Sequence, residues 1–140
     1  MTTHSSDSNK ERRRSRRLKV DFTLTYQVNQ PLVVRMSVGW NHNIYALMMD
    51  LSEDGMAIST DFNIPIGTIL SINFTLINLN SNTEEDRIKS MELLGEVRCN
   101  TPAGKGEHRL GIRFIKIAPI DKDAISSFVR ATSPINPENL

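Results

Sequence analysis

Two short stretches hold the residue types that could do chemistry. The first is Arg12, Arg13, Arg14, Arg16 and Arg17, five arginines around a single Ser15. A guanidinium offers a planar fork of donors that matches phosphate bidentately, and it stacks on flat rings. Side chains four residues apart project to the same side in a strand and in a helix alike. Arg13 with Arg17, or Arg12 with Arg16, can therefore close on one anion as a pair. The second stretch is Asp50-Leu51-Ser52-Glu53-Asp54-Gly55, with Leu47, Met48 and Met49 leading in and Met56, Ala57 and Ile58 leading out. Asp and Ser side chains bond nearby backbone N–H groups, and Gly accepts a positive φ without steric cost. The segment reads as strand–turn–strand, with a carboxylate, a hydroxyl and bare backbone at the turn. Each stretch also has a plain alternative: a solvated basic arm that does nothing specific, and a turn capped by its own side chains. Together they make the two halves of a site for an anion and a base.

Catalysis has little to stand on. The three histidines, His4, His42 and His108, lack HExxH spacing, and there is no GxxxxGK[ST], no CxxC and no GxGxxG opening a helix. Cys99 falls in an expected strand, where it reads as a core or near-core residue rather than a nucleophile. No enzyme activity, catalytic residue, metal or cofactor is expected.

These two stretches need a scaffold, and the chain is long enough to build one. Its 140 residues, 39% hydrophobic and 24% charged, suit a single domain with a real core. No apolar run approaches the ~20 residues that cross a bilayer. Met1 to Lys10 is polar, without a secretory hydrophobic segment, and Cys99 has no intrachain partner, so a cytoplasmic location is expected. Residues 10–19 carry seven positive charges and one negative, while the rest of the chain carries ten positive and fifteen negative. A basic arm on a mildly acidic body calls for an anionic partner, but that body would repel a long polyanion.

The periodicity supplies the elements. Leu18, Val20, Phe22, Leu24, Tyr26 and Val28 alternate with polar residues, as in a half-buried strand. Residues 29–43 are less regular: Val33, Val34, Met36 and Val38 could form a short strand or a packed loop, and Gly39 to Asn43 a turn. Further strands are expected over 44–49, 56–60, 68–77, 91–100 and 108–117, with Leu70, Ile72, Phe74 and Leu76 facing the core of the fourth. Residues 78–90 read as a surface loop. The period then changes. Asp121 is placed as a helix N-cap, Ile120 as a staple against Ile125, and Ile125, Phe128 and Val129 share one stripe. The expected fold is mainly β, a six-stranded antiparallel barrel with a C-terminal α-helix. Residues 1–10 are expected to be disordered, 11–132 to form the domain with 11–17 as its arm, and 133–140 to be a flexible tail.

RxxxR before the first strand, followed some thirty residues later by [D/N]xSxxG in a strand turn, resembles the PilZ domain of bacterial cyclic di-GMP receptors. Arg13-Arg14-Ser15-Arg16-Arg17 and Asp50-Leu51-Ser52-Glu53-Asp54-Gly55 carry the likeness, with Glu11-Arg12 leading in. The resemblance implies that Arg13 and Arg17 grip phosphates and the guanine O6/N7 edge, and that Asp50 accepts from guanine N–H donors. It implies a short polar contact from Ser52 and a close, sharply turning backbone at Gly55. By the same resemblance, Arg12 implies a stacked pair of ligand molecules over one. Ligand binding would order the arm across the turn and create a surface read by a separate protein, with motility, adhesion, biofilm or virulence as outputs. The pathway and oligomeric state stay open. The rival from another class is a small barrel whose basic arm binds nucleic acid nonspecifically. It would show steep salt dependence and indifference to Asp50, but aromatics are only 6% of the chain and none interleaves the arginines, so stacking platforms are lacking.

Overall fold

A computed structural model describes residues 17–39, 42–77, 83 and 87–132. Six antiparallel strands close into a barrel in the order β1-β2-β3-β6-β5-β4. They are β1 (Leu18–Gln30), β2 (Ile44–Leu51), β3 (Gly55–Thr60), β4 (Ile69–Ile77), β5 (Ile88–Pro102) and β6 (His108–Lys116). A helix α1 (Leu32–Val38) joins β1 to β2, and α2 (Pro119–Thr132) follows β6.

The alternating pattern of the strands builds the core. Leu24, Tyr26 and Val28 of β1, Leu70, Ile72, Phe74 and Leu76 of β4, and Leu110 and Ile112 of β6 all point inward. Near its start β1 is irregular: its register with β2 shifts between Lys19 and Phe22, leaving Val20 and Phe22 half-buried. Phe22 instead meets Phe128 of α2, with ring centroids 5.8 Å apart. Ile125, Phe128 and Val129 are buried as one stripe, as the helical spacing requires. Inside the barrel the Tyr26 hydroxyl bonds the Thr60 hydroxyl at 2.8 Å. Burial pushes the Tyr26 phenol up to about 12; the nearby Asp61 charge adds to the rise and the Thr60 hydrogen bond opposes it.

Several details differ from the sequence expectation. The 29–43 stretch contains neither strand nor loop at its centre but the helix α1, whose Val34 and Val38 pack on the core while Leu32, Val33 and Met36 stay exposed. One turn of separation puts Val34 and Val38 on one face, so a β-branched segment becomes helical where packing rewards only every fourth residue. Strand β5 begins at Ile88, inside the expected 78–90 loop, because Ile77, Leu76 and Thr75 of β4 extend the ladder to Ile88, Lys89 and Ser90. Pro119, with no N–H to lose, opens α2, so Asp121 lies in the first turn rather than capping it. The Asp121 carboxylate faces Lys89 at 3.8 Å, and Ile120 is 65% exposed, which rules out the expected staple. Cys99 is exposed rather than near-core. A bulge between Val97 and Cys99 turns it onto the outer face.

Candidate functional site

The site forms where β1, β2, β3 and β6 lie side by side. Asp50 and Leu51 still belong to β2, and the turn proper spans residues 52–54 before β3 starts at Gly55. Lys19 pairs with Asp50 across the β1–β2 ladder, and Asp50 pairs with Ala57 across the β2–β3 ladder. A register shift between Met48 and Asp50 accompanies this pairing. These ladders set the Asp50 carboxylate beside the start of β1, within reach of Arg17.

Arg17, the residue just before β1, donates from Nη1 to Asp50 Oδ1 at 2.9 Å. The Ala57 N–H donates to the same oxygen at 3.1 Å. Arg109, on β6, donates from Nη2 to Asp50 Oδ2 at 3.4 Å. The Asp50 side chain is only 14% exposed, while those of Arg17 and Arg109 are 40% and 52% exposed. A half-buried carboxylate thus sits between two guanidiniums that reach into solvent. That arrangement suits a ligand carrying both anionic groups and N–H donors, since the arginines can turn outward and expose the acceptor between them.

The turn is held from within. Ser52 is 1% exposed. Its hydroxyl donates to the Gly55 carbonyl at 3.2 Å and accepts from the N–H groups of Asp54 at 3.3 Å and Gly55 at 3.2 Å. The Ser52 N–H also donates to the Gly55 carbonyl, at 2.9 Å. These bonds leave the hydroxyl facing its own turn. Gly55 does not take the positive φ that turn chemistry anticipated; it is needed because a β-carbon there would collide with the Ile112 carbonyl oxygen of β6. The Phe114 N–H donates to the Asp54 carbonyl at 2.9 Å, tying the turn to β6.

A family model for the PilZ domain matches residues 11–131. The chain belongs to the PilZ domain family. Solved structures share its fold at low identity. The PilZ domain of YcgR from Escherichia coli, with c-di-GMP, is 15% identical; the match covers 86% of this chain and 90% of that one, with a TM-score of 0.54. PlzA from Borreliella burgdorferi, in complex with c-di-GMP, is 10% identical, with 97% and 60% covered and a TM-score of 0.53. The inhibitor of motility MotI/DgrA from Bacillus subtilis is 15% identical with a TM-score of 0.64. The match takes in 85% of this chain but only 50% of that protein, so the chain spans half its length. No curated protein matches the sequence.

Of the residues expected in the PilZ site, Arg17, Asp50, Ser52 and Gly55 come together at one corner of the barrel. Arg12 and Arg13 lie outside the described residues. Arg109 is the participant that sequence reasoning missed. Its contact with Asp50 spans 59 residues and depends on β6 pairing with β3, which no local motif reports. Among the described residues, no group of three His, Cys, Asp or Glu could hold a metal ion, and no helix is long and apolar enough to cross a membrane.

Proposed function

We propose that this PilZ protein is a receptor for cyclic di-GMP that acts through a separate protein. The observation that carries the reading is the Arg17–Asp50 contact, which joins the end of the arginine motif to the start of the DxSxxG turn. Two PilZ proteins of the same fold have been solved with c-di-GMP, which supports the choice of ligand.

In this reading Arg17 leaves Asp50 and, with Arg13, grips a phosphate and the O6/N7 edge of a guanine, the edge that arginine also reads in DNA. Asp50 then accepts from the guanine N–H donors. Ser52 keeps the turn in shape, and Gly55 holds that turn against β6. Arg12 adds a cation that favours a stacked pair of ligand molecules. The exchange is energetically easy. An ion pair as exposed as Arg17–Asp50 is worth about 0–1 kcal/mol, whereas each charge-assisted hydrogen bond to the ligand contributes ~1.5–3 kcal/mol. The output is a changed surface around the arm and the turn, read in the cytoplasm by a downstream protein. Motility control is the first candidate output, given the inhibitor of motility among its structural neighbours.

Calorimetry with cyclic di-GMP tests the site. The wild type binds, and Arg17→Ala and Asp50→Ala each weaken binding at least ~10-fold, the equivalent of one lost charge-assisted bond. Undiminished binding by both variants defeats the assignment. A pull-down with and without the ligand then identifies the protein that reads it.

A further inference from the structure

We propose that Arg109 is a positioning residue of this site: it keeps the Asp50 carboxylate aimed outward after Arg17 turns to the ligand. The proposal rests on the receptor reading above and adds a residue from a strand that carries neither motif.

Asp50 Oδ1 holds two partners, the Arg17 guanidinium and the Ala57 N–H, while Oδ2 holds Arg109. When Arg17 departs, Oδ1 keeps the Ala57 N–H. Without Arg109, Oδ2 has no hydrogen-bond partner among the described residues, and the terminal torsion of an aspartate is broad and easily turned. Guanine presents its N1–H and N2–H side by side, so it needs both oxygens of one carboxylate in its plane. A donor fixing Oδ2 from the side maintains that orientation.

Arg109 is well placed to do this. Its backbone lies near the start of β6 and is paired on both sides, with Ser59 of β3 and Thr101 of β5. Arg17, in contrast, lies just outside β1. Arg109 is fixed within a strand paired on both sides, whereas Arg17 precedes its strand, so the first can stay while the second turns to the ligand.

Arg113 provides an internal comparison. It lies on the same strand four residues on, pairs with Gly55 and Glu96, and carries the same charge on the same outer face. Among the described residues it makes no ion pair with Asp50. A general cationic field would use Arg109 and Arg113 alike; orientation of Asp50 uses Arg109 alone.

The test is calorimetry with cyclic di-GMP on the full chain, comparing wild type with Arg109→Gln, Arg109→Lys, Arg113→Gln, Asp50→Asn and the Asp50→Asn/Arg109→Gln double variant. Thermal melts confirm that each is folded. The expected result is about 10-fold weaker binding for Arg109→Gln, recovery to within about 3-fold for Arg109→Lys, and a loss under about 3-fold for Arg113→Gln. In the Asp50→Asn background the Arg109→Gln change adds nothing further, because its effect travels through the carboxylate. Wild-type-like binding by Arg109→Gln overturns the proposal. So does an equal loss in Arg113→Gln, or a loss that persists in the Asp50→Asn background and thus marks a direct contact with the ligand. If wild type binds, any of these failures is the failure of Arg109 alone; a wild type that does not bind removes the receptor reading beneath it.

Discussion

Gly55 lies against the carbonyl oxygen of Ile112 so closely that no β-carbon fits between them. The last residue of the DxSxxG motif is thus a packing requirement of the β3–β6 ladder before it is anything else. The obstacle is backbone, held by its own ladder partners, and cannot swing aside as a side chain would. Gly55→Ala is expected to cost about 1–3 kcal/mol by forcing β3 away from β6. Urea denaturation measures it; an unchanged midpoint would show that the two strands give way freely.

Asp50 behaves in the opposite way. Its two arginine partners are roughly half exposed, so solvent screens both pairs. Asp50→Asn is expected to change folding stability by less than about 1 kcal/mol while removing most of the affinity for cyclic di-GMP. Parallel melts and titrations check this, and a large loss of stability without a loss of affinity would make Asp50 a scaffold residue only.

Ser52 is expected to act through the turn. Its hydroxyl bonds the N–H and carbonyl of Gly55 and the N–H of Asp54, all at a buried position. Ser52→Ala leaves those groups with fewer partners and should cost about 1–3 kcal/mol, seen in chemical denaturation. Lost binding at unaltered stability would instead mean that the hydroxyl reaches the ligand.

Tyr26 sets a limit at alkaline pH. The folded phenol is held up to about 12, above its ordinary value of 10.0. Between these values the unfolded chain has released the proton and the folded chain has kept it, so stability falls as pH rises. Below pH 10 the contribution does not vary. Two units correspond to roughly 2–3 kcal/mol at most. Tyr26→Phe is expected to flatten this part of the stability profile from pH 10 to 12, while losing the Thr60 hydrogen bond at neutral pH, about 0.5–1.5 kcal/mol. Denaturation of both proteins across that range measures the difference; identical slopes would remove Tyr26 as the cause.

Much of the barrel was legible before any coordinates. The alternation through Leu24, Tyr26 and Val28 and through Leu70, Ile72, Phe74 and Leu76 names the inner face of β1 and β4, because successive side chains on a strand leave opposite faces. The stripe of Ile125, Phe128 and Val129 names the buried side of α2 for the same kind of reason. Arg17, Asp50, Ser52 and Gly55 were named together through the family resemblance their two contiguous motifs carry; that they meet at one corner is the work of the barrel.

What the tertiary structure decided depends on pairings between distant strands. Whether Leu32–Val38 coils or extends was open to a β-branched sequence, and the core settled it by accepting only Val34 and Val38. Cys99 lost its expected burial to a bulge, a change of one residue in register that no composition reveals. Arg109 met Asp50 only because β3 lies between β2 and β6 in the closed barrel. Periodicity tells which way a side chain leaves its own strand; only the closing of the sheet tells which charge it finds there.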